Sequence, residues 1–246
     1  MSDAWPTVRA YAVHLFTASG VLCALAALWY VMRTPPAPAW AFAMLGLAVL
    51  IDAADGPLAR RWAVTIHAAR IDGGLIDNIV DYLTFTFLPL VLVWRMGWLA
   101  GPDVVWVGLA MTASLFGFAN HSAKQAADGF FLGFPSYWNI LAYYAGLLHA
   151  AYGATGRAVM LGVVLLATAL TVAPVRFIYP NQAPSPWKPW IIGGALGWLA
   201  LLVGFLPTYP AVPTWAQPWG LPVSMLYPAF YVGLSGYLDV RLRRAA

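Results

Sequence analysis

D-A-A-D-G-P-L-A-R at Asp52–Arg60, followed twelve residues later by G-G-L-I-D-N-I-V-D at Gly73–Asp81, is the stretch from which the rest of the chain can be read. Asp52 and Asp55 stand three apart, Asp77 and Asp81 four apart, so on helices each pair directs its carboxylates to one face, a turn apart. Both pairs lie at the edge of very apolar segments, where a carboxylate costs roughly 2.5–3.5 kcal/mol on insertion scales. Four of them together require a counter-charge. Arg60 and Arg61 follow the first pair and Arg70 precedes the second, so one reading is a structural Asp/Arg network at a membrane edge. The reading we favour is a clamp for a hard divalent cation, because Mg²⁺ and Mn²⁺ accept all-oxygen ligand sets and keep positions open for phosphate oxygens. Small residues at Gly56, Ala59, Gly73 and Gly74 would let a ligand approach the backbone.

Composition sets the surroundings. The chain is 62% hydrophobic and 9% charged, with a mean hydropathy of +0.73, against about 25% charged residues in soluble domains. This predicts an all-α polytopic membrane protein, with continuous apolar runs that suit helices and not the alternation of a barrel. Eight apolar segments can be marked, at residues 11–32, 40–59, 75–98, 103–121, 136–152, 157–178, 189–207 and 221–239. At about 20 residues per span they nearly use up the 246 residues, so a single transmembrane domain over 1–246 is expected, with no separate soluble domain. The Pro-rich stretches 33–39 and 207–222 read as loops. The first segment reads as a retained span and not as a signal peptide, since only Arg9 precedes it. The single cysteine, Cys23, rules out an intrachain disulfide. A net charge of +4 would suit nucleic acid, but cytoplasmic arginines in a membrane protein give the same total, and no nucleic-acid partner is expected.

Charge also orients the chain. With the N-terminus inside, Arg9, Arg60, Arg61, Arg70, Lys124, Arg176, Lys188, Arg241, Arg243 and Arg244 are cytoplasmic and only Arg33, Arg95 and Arg157 are external. The positive-inside rule then puts both termini in the cytoplasm and the four aspartates together at the inner face. Pro57 would leave the Ala53 carbonyl without its helical donor, for the site or for a water.

The pattern D-x-x-D-G-x-x-A-R, a gap, then G-x-x-x-D-x-x-x-D resembles the signature of the CDP-alcohol phosphotransferases. It is filled by Asp52, Asp55, Gly56, Ala59, Arg60, Gly73, Asp77 and Asp81. The twelve-residue gap is longer than in most of that family and is similar to the bacterial phosphatidylcholine synthase branch. So are A-V-H-L-F-T-A-S-G from Ala12, D-N-I-V-D-Y from Asp77 and F-F-L-G-F-P-S-Y-W-N from Phe130. The resemblance implies an enzyme of the bacterial inner membrane, its active site facing the cytoplasm, that transfers the phosphatidyl group of CDP-diacylglycerol to choline and releases CMP. It implies two Mg²⁺ or Mn²⁺ ions held by Asp52, Asp55, Asp77 and Asp81, with Asp81 also taking the proton of the acceptor hydroxyl. Gly56, Ala59, Arg60 and Gly73 would bind CDP-diacylglycerol, with membrane lipids around the tails, and a homodimer is admitted.

Choline's trimethylammonium cannot donate a conventional hydrogen bond, so aromatic faces should select it, at roughly 0.5–2 kcal/mol per contact. Tyr82, Phe134, Tyr137 and Trp138 are the candidates, with interfacial belt or core as their other reading. Phe130, Phe131 and Lys124 share the loop from His121 to Trp138. His14, Thr17, Ser19 and Gly20 read first as helix-packing residues, with His14 near enough to the inner face to reach the site. Arg176 and Lys188 read as positive-inside residues or as a hold on phosphate. Two other functions compete: a sister transferase for glycerol phosphate, inositol phosphate or serine, whose acidic acceptors should recruit more basic residues, and a cation transporter, which should place its acids at the midplane. The charge asymmetry predicts that reporter fusions at the C-terminus and near Pro36 report opposite sides of the membrane; equal accessibility would refute this topology.

Overall fold

The computed structural model describes residues 4–120, 124–125, 129–183 and 186–245. His121 and the side chain of Lys124 lie outside the described residues. The chain is helical almost throughout: α1 Ala4–Ala18, α2 Gly20–Met32, α3 Pro38–Arg61, α4 Val64–His67, α5 Gly73–Asp81, a π-helix Tyr82–Phe87, α6 Leu88–Met96, α7 Asp103–Ala119, α8 Trp138–Val172, α9 Lys188–Phe205 and α10 Gly220–Ala245. Three short strands, β1 Lys124–Gln125, β2 Phe130–Leu132 and β3 Arg176–Ile178, form an antiparallel sheet in that order.

Among the described residues, five helical stretches are long and apolar enough to cross a membrane: Trp5–Met32, Pro38–Arg61, Gly73–Met96, Trp138–Val172 and Lys188–Thr208. Their outer faces stay apolar, with Leu15, Leu22, Leu50, Leu166 and Leu196 all exposed. So much uncovered apolar surface is what lipid, not water, accommodates. The protein is a multi-pass membrane protein.

One of the five stretches turns back on itself. Gly153 has φ 55° and ψ −123°, inside an otherwise helical run of 35 residues. The carbonyl of Leu148 lies against Gly156, although eight residues of straight helix would separate them by about 12 Å. Near the other end the Phe134 N–H donates to the Leu170 carbonyl at 3.0 Å. Residues 138–152 and 154–172 are thus two antiparallel arms, which reconciles the two apolar segments expected there with one long helix. The second arm stops at Val172, short of the expected 178. Ala173 is extended (ψ 145°) because Pro174 follows, and Arg176–Ile178 then joins the sheet.

The interior is closed by aromatic side chains whose polar tips find backbone or hydroxyl partners. Tyr143 and Tyr144 donate to the carbonyls of Leu202 and Ser224, both at 2.7 Å, and the Trp198 N–H reaches the Tyr144 hydroxyl at 2.9 Å. Such tips must be satisfied internally where no water is present.

Two contacts align the first helices with the motif. A side chain at Gly73 would strike His14, and one at Gly20 would strike Val80, so α1–α2 and α5 run side by side in the same direction. Ala10 and Val13 of α1 pack with Leu58, Ala59 and Val64, so the same helix also braces the end of α3.

The reversal at Gly153 generates a stability test. Gly156→Val is expected to lower the thermal midpoint in detergent sharply, because its side chain would have to displace the Leu148 carbonyl. Gly162→Ala, with open space around it, should be neutral or gain up to about 1 kcal/mol from helix propensity. Equal midpoints for the two variants would argue against the packed hairpin.

Candidate active site

α3 and α5 deliver the acids. α3 runs through Pro57 without ending, so Asp52 and Asp55 lie on its last turns before Arg60 and Arg61. α5 begins sharply at Asp72, whose carboxylate accepts from the Leu75 N–H at 3.0 Å, a side-chain cap at the helix start. That start fixes the phase of the helix, so Asp77 falls one turn in and Asp81 one turn further.

The two helices bring Asp52, Asp55 and Asp77 together, each offering a carboxylate oxygen within 4.8 Å of the other two. Asp55 is only 7% exposed. Two unit charges 4.8 Å apart repel by about 3.5 kcal/mol at an effective dielectric near 20. Three such pairs would be costly without a cation, and the donor set is all oxygen, so the group fits Mg²⁺ or Mn²⁺ better than Zn²⁺. Asp81 is half-buried on the same helix as Asp77 and stands outside this grouping of three.

The remaining motif residues have definite places. The Arg60 guanidinium folds back one turn over Gly56, 3.4 Å from where a β-carbon would stand. Ala59 packs toward α1. The space that a side chain at Gly73 would take is filled by the imidazole of His14. Sequence reasoning gave the smallness of Gly73 to the ligand; the contact with His14 was out of its reach because it joins residues 59 positions apart.

The four aromatic candidates separate into two pairs. Trp138 is wholly buried, with its indole N–H donating to the Ser114 hydroxyl at 2.6 Å. The Tyr82 hydroxyl donates to the Met111 carbonyl at 3.2 Å, and its ring meets Phe118 edge-on. Both are thus engaged with α7. Tyr137 instead lies within electrostatic reach of Asp52, its ring 6.1 Å from Tyr231 and 6.3 Å from Phe134. Ser136, at φ 56°, makes the turn that sets Tyr137 there.

Arg176 is held by a carboxylate. Asp239 on α10, 5% exposed, pairs with Arg243 at 2.8 Å and with Arg176 at 3.6 Å, and it accepts from the Arg176 backbone N–H. Arg243 also donates to the Pro174 carbonyl. Sequence reasoning passed over Asp239. The available signal was D-V-R-L-R, an acid at i with an arginine at i+4 at the end of an apolar helix. This clamp ties the end of α10 to the sheet, and Tyr231 of α10 reaches Tyr137, so α10 ends on the side of the bundle that carries the aspartates. Lys188 is exposed at the start of α9.

The phosphatidylcholine synthase of Pseudomonas aeruginosa is 36% identical to the chain over 240 residues, covering 95% of this chain and 93% of that protein. The chain belongs to the phosphatidylcholine synthase family. Its counterparts in Rhizobium meliloti (29% over 236 residues, covering 94% and 90%) and Brucella melitensis (28% over 242 residues, covering 98% and 84%) match to a similar extent. No family model and no solved structure matches the chain. Membership agrees with the CDP-alcohol phosphotransferase motif that α3 and α5 carry.

The cluster predicts that Asp55→Asn and Asp77→Asn each weaken Mn²⁺ binding by about tenfold or more, at roughly one charge lost per site. Titration of the purified protein, followed by the spectroscopic signal of free Mn²⁺, would show it. Unchanged Mn²⁺ affinity in both variants would remove these residues from the metal site.

Proposed function

We propose that the chain transfers the phosphatidyl group of CDP-diacylglycerol to choline, giving phosphatidylcholine and CMP. The observation that carries this reading is the convergence of Asp52, Asp55 and Asp77 from two helices, in a chain of the phosphatidylcholine synthase family. Held by these three residues, with Asp81 sharing the second, one or two Mg²⁺ or Mn²⁺ ions would neutralise the diphosphate and the charge developing on CMP.

The residues of the chain do the rest. Asp81 takes the proton of the choline hydroxyl, whose oxygen bonds to the phosphorus that bears diacylglycerol as the bond from that phosphorus to CMP breaks. Arg60, over Gly56, supports a carboxylate or phosphate with its fork of donors, and Ala59 and Gly73 serve the donor site indirectly, by letting α1 and its His14 pack close beside the motif helices. Tyr137 and Phe134 are the stronger candidates for the trimethylammonium group, because Tyr137 combines an aromatic face with the nearby charge of Asp52. Tyr82 and Trp138 act on that site through packing.

The setting we assign is a single domain of eight spans in the bacterial inner membrane, with both termini and the site on the cytoplasmic side, as a monomer or homodimer. Three features support it: the parallel course of α1 and α5, the antiparallel arms of α8, and the return of α10 to the aspartate side.

Protein in nanodiscs with CDP-diacylglycerol and Mn²⁺, offered choline, serine, glycerol phosphate and inositol phosphate in parallel, should release CMP fastest with choline. Asp81→Asn should lose turnover by about 100-fold or more while still binding the donor, on the scale of general-base catalysis. A faster acceptor than choline would replace this assignment with a sister reaction, and loss of donor binding in proportion to turnover would make Asp81 a metal ligand only.

A further inference from the structure

His14 lies on the buried face of α1 and is 7% exposed. The edge of its ring formed by Nδ1 and Cε1 is pressed onto Gly73: a β-carbon added there would stand 2.7 Å from Cε1 and 3.0 Å from Nδ1. Its other nitrogen, Nε2, is buried and has no hydrogen-bond partner among the described residues. Leaving such an atom unpaired costs its full desolvation, which Leu or Phe would avoid if packing were the only role.

The neighbours do not supply the missing bond. The Thr17 hydroxyl donates to the Val13 carbonyl at 3.2 Å, and the Tyr11 ring meets the imidazole only edge-on at 6.3 Å. Ala10, Val13, Leu58 and Ala59 make the rest of this seam apolar. The position is specific all the same. Gly73 opens the helix whose next turn carries Asp77, and residues four apart share a helix face. The imidazole therefore stands one turn before the carboxylate cluster, on the side of the helix start. In the orientation assigned above that is the aqueous side, where the nucleotide half of a lipid-linked diphosphate must lie while its acyl chains stay in the bilayer.

We propose that His14 is a donor-binding residue whose Nε2–H bonds a phosphoryl oxygen on the nucleotide side of the CDP-linked donor. This rests on the function proposed above and adds a residue from outside the two aspartate helices. Gly73 then has a defined role, since only a residue without a side chain lets the ring stand at that level of α5. His14 adds an anion contact where the carboxylates cannot.

The test uses CMP as the probe, with the full-length protein in nanodiscs and Mn²⁺ present. His14→Phe keeps a ring against Gly73 but removes the nitrogen. It should weaken CMP binding by calorimetry, and raise KM for CDP-diacylglycerol, by about tenfold or more, with KM for choline within about twofold. His14→Gln, which presents an amide N–H, should recover part of the CMP affinity at equal or lower thermal stability. Unchanged CMP affinity in His14→Phe, or equal losses in both variants that follow their thermal midpoints, would make His14 a packing residue and overturn the proposal. If His14→Phe does not fold, His14→Leu takes its place in the same titration: affinity that follows the N–H supports the proposal, and affinity equal to that of His14→Gln overturns it. Wild-type protein that binds CMP but prefers another acceptor would overturn choline as the substrate while the titration still decides His14. A wild-type chain that neither binds nor releases CMP would overturn both.

Discussion

Like charge held at close range is the constraint around which this molecule is built. Three carboxylates within 4.8 Å at the edge of apolar helices oppose their own assembly, so the scaffold must hold α3 and α5 together against that repulsion. The bracing is visible in α1, which packs against Leu58 and Ala59 on one side and against Gly73 on the other, and in α2, whose Gly20 meets Val80. Asp72 supplies the other requirement, a definite helix start, because a one-residue slip in α5 would turn Asp77 by about 100° away from its partners. Packing at α1 and capping at α5 thus serve the electrostatics that α3 and α5 share.

The opposite flank of the site is built by other means. The turn at Ser136, the strands at Phe130–Leu132 and Arg176–Ile178, and the last turns of α10 form a small polar and aromatic face beside the helical bundle. Tyr231 donates to the Ile178 carbonyl at 2.7 Å and Ser235 accepts from the Ile178 N–H at 3.2 Å, so α10 meets the hydrogen-bonding groups of β3. With Asp239 shared between two arginines, the face is tied at three successive turns of one helix. The result is a wall of strand and helix, cross-tied by hydrogen bonds and ion pairs, on the side of the bundle that carries the aspartates.

Much of this was legible in the sequence because it is written in local spacing. The helix pairs of aspartates and the apolar segments, with a break between residues 152 and 157, follow from spacing and composition. What escaped is set by long-range contact. Nothing local marks Trp138 as bonded to Ser114, Asp239 as the partner of Arg176, or His14 as the occupant of the space beside Gly73. Strands of two or three residues carry no periodic signal, so β1–β3 were also out of reach, and an expected helix over 157–178 ran past Pro174 into one of them.

The six-residue π-helix directly after Asp81 has a consequence for how this protein can change its length. In an ordinary membrane helix a one-residue insertion turns everything beyond it by about 100° and pulls apolar faces away from their partners. A π turn is a place where one extra residue is absorbed as a wider coil, with the helix on either side keeping its own phase. Tyr82–Phe87 is therefore a slack segment inside a transmembrane rod: its aspartate-bearing end and its Leu88–Met96 end can hold separate registers, and a single-residue deletion there would be absorbed as plain α-helix without moving either half off its face.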